Sequence, residues 1–455
     1  MNTLSLATGV FLALSLSGVR VQADWPQYRG PSASGVETNR ALPISWNVET
    51  GTNIRWHTGI PGLAHSSPIA VSNRIYVATV VAPKDADLKV GLYGDIKSAA
   101  DDDEQEWRLL AIDRSTGQIL WNSLAVKARP RVKRHTKASH CNSTPASDGR
   151  HIVMIFGSEG LFCFNTEGTL IWKLDLGPMD SGYFASPTAQ WGFASSPILY
   201  DGKVIVQCDV QKDSFIAAYD LLNGRELWKT PRKDVPTWGT PTTVRTDTGV
   251  QIVANGWHES AGYDLSTGRK LWTLDGGGDI PVPTPLFAHN LIYLTSAHGK
   301  WRPMRAIHPD AKGDITPEDP GKTNRFIAWS HGRQGNYMQT PIIVGDLLYG
   351  CYDNGILTCF EARTGLIHFS ERLSQQGQGF TASPVSDGRH LYLASETGNV
   401  FVVAAEKNLT IRGTNHLNET CMATPAISDG MLLFRTRHQL IAIEEGARSA
   451  GMKKE

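Results

Sequence analysis

The sequence lacks the features that mark several large classes of protein. Its 44 Lys and Arg residues are matched by 44 Asp and Glu residues, so the formal net charge is zero. A general nucleic-acid-binding protein needs a basic excess to displace the counterions of the phosphate backbone. Only six cysteines occur in 455 residues, too few for a fold built on disulfides. Nucleic acid is therefore not an expected partner.

Long apolar runs are also missing beyond the first 20 residues. Leu6 to Val19 has the length of the apolar part of a secretory signal and is short for a membrane span. We predict a signal peptide over 1–23, cleaved after Ala23, and an exported protein that is periplasmic or secreted. An uncleaved anchor is the alternative. No cysteine follows the predicted cleavage site, so no lipid anchor is expected there.

The chain carries no familiar catalytic motif: G-x-S-x-G, H-E-x-x-H and the phosphate-binding loop are all absent. No pair of potential ligands has metal-like spacing. We therefore assign no residue a catalytic step and predict no metal site.

Glycine and tryptophan are abundant, at 44 and 13 residues, which is typical of short strands joined by tight turns. Eight of the Ser-Pro and Thr-Pro pairs recur as a repeat along the chain, and the closest of these are 41 to 44 residues apart. That spacing suits four strands and their turns. We call these pairs the anchors; their prolines are Pro68, Pro145, Pro197, Pro241, Pro285, Pro341, Pro384 and Pro425.

A second motif, Asp-x-x-x-Gly-x-x-x-Trp, stays in register with the anchors. It occurs in full at Asp113–Trp121, Asp220–Trp228 and Asp264–Trp272. We interpret it as a strand, a turn that needs the positive φ of glycine, and a strand that buries a large aromatic ring.

Together the motifs predict an all-β, eight-bladed β-propeller of four-stranded antiparallel blades. The eighth repeat ends without a Trp strand, whereas Asn53–Trp56 precedes the first anchor. We therefore expect this N-terminal strand to complete the last blade and close the ring. The predicted divisions are an extension over 24–53, the propeller over 54–446 and a tail over 447–455.

The two faces of the predicted disc differ. The a–b and c–d turns are short, apart from an insertion at Pro309–Asn324, and most long loops lie on the opposite, loop-rich face. Loops on a rigid scaffold commonly carry function. Aromatic rings that can stack and Arg side chains that can form paired hydrogen bonds suit a planar or anionic ligand. The alternative role of such residues is to pack the loops onto the rim of the disc. The candidate ligand-binding residues are Trp191, Trp238, Trp257, His258, His298, Trp301, Arg302, His331, Arg333, Asn336 and Tyr337.

Three further features bear on the loops and the core. A basic segment, Arg129–Lys137, is suited either to an acidic partner or to solvent, and the acidic run Asp101–Glu104 can neutralise it. His65 and His140 are expected to be hydrogen-bonded histidines near the channel. The cysteines occupy repeat-equivalent positions on different blades, which predicts six free and mostly buried thiols.

The repeats resemble the pyrroloquinoline-quinone (PQQ) repeat family, including BamB-type propellers. Segments 111–121, 218–228 and 262–272 carry the resemblance, and Asp24–Pro31 with Gly35 is similar to exported PQQ-like proteins of planctomycete-type bacteria. Members comprise quinoprotein dehydrogenases, for which the resemblance implies PQQ with calcium, and non-catalytic scaffolds. This chain has no adjacent cysteine pair and no recognisable set of calcium carboxylates.

We therefore expect an exported, monomeric scaffold without a cofactor, whose loop-rich face binds protein partners, a small molecule or a saccharide. A PQQ-dependent oxidoreductase and a carbohydrate-binding or carbohydrate-processing module are the alternatives.

Overall fold

The structure, a computed structural model, describes residues 24–449 apart from 87, 92–97 and 248. The predicted signal peptide and the end of the predicted tail lie outside the described residues. Eight four-stranded antiparallel sheets, one of them extended by a fifth strand, form an eight-bladed β-propeller. The predicted fold class is confirmed. The described part of the chain contains no helix with the length and hydropathy needed to cross a membrane.

The strands of each blade are lettered a to d from the channel outwards. Their bounds are, for blade 1, Ile69–Val71, Arg74–Val81, Gln105–Asp113 and Ile119–Ala128; for blade 2, Ala146–Ser147, His151–Ile155, Leu161–Asn165 and Leu170–Leu174; for blade 3, Ile198–Tyr200, Lys203–Cys208, Phe215–Asp220 and Glu226–Pro231; and for blade 4, Thr242–Thr246, Gly249–Ala254, Ser260–Asp264 and Lys270–Leu274.

The second half of the ring follows the same order. The bounds are, for blade 5, Leu286–Ala288, Leu291–Thr295, Met304–Ile307 and Ile327–His331; for blade 6, Ile342–Val344, Leu347–Cys351, Ile356–Glu361 and Ile367–Arg372; for blade 7, Val385–Ser386, His390–Ala394, Asn399–Ala404 and Ile411–His416; and for blade 8, Ala426–Ser428, Met431–Arg435, Gln439–Arg448 and Thr52–Gly59.

Smaller elements lie outside this pattern. They are a hairpin, Gly182–Tyr183 with Ser186–Gln190, and two short 3₁₀ helices, Pro31–Ala33 and Gly157–Glu159. The predicted insertion between strands c and d of blade 5 contributes Gly313–Asp314, which pairs in parallel with Trp272 and Thr273 of blade 4.

Ring closure depends on the N-terminal strand, as predicted. Strand Thr52–Gly59 pairs antiparallel with Gln439–Arg448, placing Trp56 opposite Ala442. The first strand of the propeller is thus the outer strand of its last blade. Because blade 8 contains both ends of the ring, no blade edge is left open between blades 8 and 1.

Five of the recurring Trp residues contact the Gly of the neighbouring blade's turn, whereas Trp272 packs within blade 4 and donates to the side chain of Gln251 at 2.8 Å. The Trp of one strand d donates its Nε1–H to a carbonyl in the next blade's c–d turn, at 2.8–3.0 Å, and its ring lies where a Cβ on that turn's glycine would be. The Trp–Gly pairs are Trp56–Gly117, Trp121–Gly168, Trp172–Gly224, Trp228–Gly268 and Trp329–Gly365. Glycine therefore serves both the positive φ of the turn and the close approach of the ring.

Hydroxyls of the anchors also link neighbouring blades. In six cases the backbone N–H of one anchor Ser or Thr donates to the side-chain hydroxyl of the next anchor, at 2.9–3.1 Å. Buried N–H groups need a partner, and here the next blade supplies it. Thr284 differs, because its buried hydroxyl has no hydrogen-bond partner.

This difference gives a matched pair of substitutions. Thr144→Val removes the acceptor for the N–H of Ser67 and is expected to lower the free energy of unfolding by about 1–3 kcal/mol. Thr284→Val removes a hydroxyl without a partner and is expected to change it by less than about 0.5 kcal/mol. Urea unfolding followed by tryptophan fluorescence measures both. Equal losses of unfolding free energy in the two variants would show that the hydrogen bonds between anchors do not stabilise the fold.

The cores lie between adjacent sheets, where the inner strands present nearly continuous buried aliphatic residues. All six cysteines are free and buried within these layers, as predicted. Burial raises the pKa of each thiol, because the charged thiolate would lose its hydration. The pKa values of Cys163 and Cys359, for example, rise to about 12. The thiols therefore pack as small apolar groups.

Candidate functional site

A cavity of about 420 Å³ occupies the central channel at the loop-rich face. Residues of several d–a and b–c loops line its mouth, and the hydroxyls of several anchors line its lower wall. We call it the channel cavity. Its lining includes Tyr28, His65, Val90, Lys137, Trp191, Trp238, Tyr337, Met338, Asp353, Phe380, Glu396 and Met422.

The opposite end of the channel is closed by the N-terminal extension. Residues Asp24–Gly35, here called the floor segment, run across strand a of successive blades. Trp25 exchanges backbone hydrogen bonds with Ala70 of blade 1, and Pro26 accepts one from Ser147 of blade 2. The 3₁₀ turn Pro31–Ala33 contacts the inner strands of blades 4 and 5. Among the described residues, the floor segment therefore closes this end of the cavity, which opens towards the loop-rich face.

Arg29 fixes the floor segment to the far side of the ring. Its guanidinium is buried and donates at 2.9 Å to the carbonyls of two anchor prolines, Pro341 and Pro384. It also donates at 3.2 Å to Ala33 and Ser34 within the segment. The hydroxyl of Tyr28 lies 3.2 Å from that of Ser383 and forms part of the cavity lining.

The upper wall is largely apolar and aromatic. Trp191 stacks on His135 with ring centroids 4.4 Å apart, and Trp238 donates its Nε1–H to the carbonyl of Gly192 at 3.0 Å. Trp238 and Tyr337 pack in one cluster with Ile280. A water-excluding wall with few polar groups is typical of a site for an apolar ligand or side chain.

A polar bridge crosses one side of the mouth. Lys137 pairs with the buried carboxylate of Glu396 at 2.7 Å, which joins the loop after blade 1 to a loop of blade 7. Glu396 also accepts from the N–H of Gly91 and the hydroxyl of Thr381, at 2.7 and 2.6 Å. Charge-assisted bonds of this kind hold the two loops in place.

His65 lies under this bridge, and its Nε2 is 3.0 Å from the carbonyl of Lys137. Burial, joined by the positive charges of Arg134, Arg435 and Arg437, lowers the pKa of His65 from 6.5 to about 4. The imidazole is therefore neutral at pH 7, consistent with the predicted hydrogen-bonded histidine.

This lowered pKa predicts an acid-dependent loss of stability. Because the folded pKa lies below the unfolded one, the contribution of His65 is fully present above pH 6.5 and is lost as the pH falls towards 4. At pH 5 the wild type should have lost about 2 kcal/mol through this residue. We expect His65→Gln to show a correspondingly smaller fall between pH 7 and 5 in urea unfolding. Parallel pH profiles would contradict the assignment.

The structure brings four of the candidate residues to the mouth of the channel. Trp191, Trp238 and Tyr337 line the channel cavity. His298 stacks near Tyr337, with ring centroids 6.1 Å apart, and its Nδ1 lies 2.6 Å from Asp279. That carboxylate raises the pKa of His298.

Two other candidate residues, Trp257 and His258, lie further from the channel on the same face. Trp257 packs between His258 and Phe184, at ring-centroid distances of 3.9 and 4.5 Å. Their loop is held by the buried carboxylate of Asp234, which accepts from the N–H groups of Trp257, His258 and Glu259.

Three more candidate residues, Trp301, Arg302 and Arg333, lie at the edge of blade 5. The backbone of Arg302 pairs with Gly332 and Gly335, beside Arg333, and Trp301 packs on Gly332. These residues are not part of the cavity lining.

The last two candidate residues, His331 and Asn336, have surroundings unlike those of the other candidates. His331 contacts the carbonyl of Gly365 through Nε2 at 2.7 Å, in the c–d turn of blade 6. Thr58 makes the equivalent contact with Gly117, so His331 occupies a blade-docking position. Asn336 is fully buried and bonds to the backbone of Cys351.

The basic segment and the acidic run partly neutralise each other. Arg134, only 1% exposed, pairs with Asp101 at 2.6 Å, and Arg131 pairs with Asp175 at 2.8 Å. The segment is thus anchored at these positions and contributes His135 and Lys137 to the cavity.

Sequence reasoning missed the floor segment and a buried ionic network. Arg232 is buried and bonds to Asp209 at 2.6 Å and to the hydroxyl of Tyr263 at 2.7 Å. The network lies beneath the loop of Trp257. The motif Asp24–Pro31 marks the floor segment in the sequence, but the place of the segment in the fold depends on contacts with blades more than 300 residues away.

Comparisons with known proteins agree with this architecture. The family model described as outer membrane protein assembly factor BamB matches residues 33–183 and 105–371, more than half of the chain. BamB of Shewanella oneidensis is 26% identical over 194 residues, which cover 41% of this chain and 45% of that protein. The match therefore spans less than half of the relative's length.

Solved structures share the fold at low identity. BamB from Moraxella catarrhalis matches with a TM-score of 0.53 and 14% identity, over 80% of this chain and 98% of that one. Quinohemoprotein alcohol dehydrogenase from Comamonas testosteroni matches with a TM-score of 0.64 and 11% identity, over 95% and 82%. At such identities the structures support the fold alone. With the family match, the repeats and the eight blades, the chain belongs to the PQQ-like β-propeller family whose model bears the BamB description.

Proposed function

We propose that the protein is an exported, non-catalytic scaffold that binds a protein partner at its loop-rich face. The observation that carries the proposal is the one-ended channel cavity. Its floor is closed by Arg29 and Tyr28, and its mouth is framed by Trp191 and Trp238. A cavity closed at one end suits an apolar side chain or segment that projects from a partner.

Membership of the BamB family supports an assembly role. The matched relatives are named as outer membrane protein assembly factors, and their names refer to work with other proteins. A rigid ring with short turns on one face and long loops on the other suits such work, because a partner can be held without rearrangement of the blades.

PQQ is the cofactor that the dehydrogenase members imply, and the residues of the channel cavity do not fit it well. PQQ carries three carboxylates, whereas Lys137 in the lining is already paired with Glu396. Among the described residues there is no group of three or more His, Cys, Asp or Glu placed to hold a metal ion. We therefore derive no reaction through PQQ.

Site-specific photo-crosslinking in the native host tests the scaffold. A benzophenone amino acid at Val90, which is exposed and lines the cavity, is expected to give one dominant adduct with a defined protein. The same group at Leu222, an exposed position in a c–d turn on the opposite face, is the matched control.

Two results would contradict the proposal. One is an adduct from Leu222 of equal yield to that from Val90, which would move the binding surface to the other face. The other is a stoichiometric spectral change with PQQ and calcium, accompanied by dye reduction. Binding to a polysaccharide column that Trp191→Ala abolishes, without a protein adduct, would favour the carbohydrate-binding alternative.

A further inference from the structure

Arg435 is a buried cation whose guanidinium finds no acceptor among the residues that the structure describes. It is the last residue of strand b in blade 8, and it is 1% exposed. Its Nε, Nη1 and Nη2 atoms are all buried and have no hydrogen-bond partner. Burial lowers its pKa to about 10, so the guanidinium still carries its charge at neutral pH.

The other buried arginines of the described chain are treated differently. The guanidinium groups of Arg29 and Arg305 donate to backbone carbonyls. Those of Arg114, Arg134 and Arg232 are paired with Asp429, Asp101 and Asp209. An unpaired charge in the interior is among the most unfavourable features that a fold can contain. Arg435 is therefore unlike its counterparts in this chain.

The nearest acidic group is already engaged. Glu419 accepts from the hydroxyl of Thr436 and from the N–H of His438, and the side chain of Gln439 donates to its other oxygen. Other neighbours are the cation Arg437, which lowers the pKa of Arg435 further, and the buried Cys141 and Cys421, whose thiols are protonated because burial raises their pKa. Glu419 keeps its negative charge and raises the pKa of Arg435, but no acceptor among the described residues is hydrogen-bonded to the guanidinium.

The surroundings of Arg435 adjoin the channel cavity. The thiol of Cys421 lies 3.7 Å from the carbonyl of Arg435, and Met422 and Thr424 from the same segment line the cavity. His65, also in the lining, is influenced by the charge of Arg435. A positive charge without a partner thus lies close behind the cavity wall.

We propose that Arg435 is the centre of a binding site for a small monovalent anion between blades 8 and 1. The anion is either a free ion or the carboxylate of a molecule whose apolar part occupies the channel cavity. The two sources share one chemistry, a single negative charge within reach of three guanidinium nitrogens. This site does not rest on the partner-binding role proposed above, but a molecule in the channel cavity would compete with the partner for that space.

Thermal unfolding at constant ionic strength tests the site. Sodium gluconate serves as the bulky reference salt and is replaced stepwise by sodium chloride or sodium acetate. A ligand that binds only the folded state raises the melting temperature in a saturable way. We expect a rise of about 3 °C that levels off for the wild type, and no saturable rise for Arg435→Met.

Two further variants keep the result interpretable. Arg435→Lys retains the charge and should retain the saturable response, which protects the test if Arg435→Met folds poorly. Arg305→Met removes a buried guanidinium that already has carbonyl partners and should leave the response unchanged. A non-saturable response, or equal responses of the wild type and Arg435→Met, would overturn the proposal.

A second series separates the two sources of the anion. If hexanoate binds at least tenfold more tightly than acetate to the wild type, the anion is the head group of a molecule in the channel cavity. If chloride and acetate act alike and hexanoate brings no gain, the site takes a free ion. Either result requires the loss of the response in Arg435→Met.

Discussion

Replacement of Trp56 by Ala is expected to lower the free energy of unfolding by about 3–5 kcal/mol, the range for large aromatic side chains deleted from a core. Trp56 is 6% exposed and lies on the N-terminal strand that completes blade 8. Its ring fills the space above Gly117 of blade 1, and its Nε1–H donates to the carbonyl of Arg114 at 3.0 Å.

The same change acts on the closure of the ring. Blades 8 and 1 are held together at this docking contact by a strand that is remote in sequence from the rest of its blade. Loss of the indole removes the packed surface and leaves the carbonyl of Arg114 without its buried donor. We therefore expect faster hydrogen exchange in strand Thr52–Gly59 than in the outer strands of the other blades.

Urea unfolding and hydrogen exchange measure these two effects. Leu222→Ala is the control, because that side chain is 66% exposed and should change the free energy by less than about 0.5 kcal/mol. A loss of under 1 kcal/mol for Trp56→Ala would show that the ring is closed mainly by the strand pairing.

The substitution Gly117→Ala tests the same contact from the side of blade 1. A Cβ at this residue would lie 2.6 Å from the Trp56 ring, and the φ of +75° is itself unfavourable for alanine. The losses caused by Trp56→Ala and Gly117→Ala should add up to more than the loss in the double variant, because both disrupt one contact.

The sequence was sufficient to predict the architecture because its signals are local and repeated. Each anchor proline and each Asp-x-x-x-Gly-x-x-x-Trp motif lies within a single blade, and the eight anchors, with three full motifs in register, identify a propeller. The half-blade at Asn53–Trp56 then predicted the closure. The partners of Trp56, Trp121, Trp172, Trp228 and Trp329 were not predictable in this way, because each indole contacts the turn of the next blade.

The channel cavity was only partly predictable, for the same physical reason. Trp191 and Tyr337 lie in loops next to anchors, so their place near the channel followed from the repeat. His331 also lies near an anchor, yet the end of its strand directs it to Gly365 in the neighbouring turn. The unpartnered state of Arg435 depends on which groups surround it in three dimensions, and no spacing in the sequence reports that.

Arg29→Met is expected to lower the free energy of unfolding by about 3 kcal/mol and to loosen the floor of the channel. The substitution keeps an apolar side chain of similar length but removes every donor of the guanidinium. The carbonyls of Pro341 and Pro384 then lose their hydrogen bonds inside the channel, as do those of Ala33 and Ser34. Removal of the buried charge offsets only part of this loss.

Arg40→Met is the control for this prediction, since Arg40 belongs to the same N-terminal extension but forms an exposed ion pair with Asp429. It should change stability by less than about 0.5 kcal/mol, because exposed pairs contribute little. Hydrogen exchange of Asp24–Gly35 should increase in Arg29→Met alone. If the segment stays protected there, Trp25 and its pairing with Ala70 hold the floor, and the cavity remains closed at that end without the arginine.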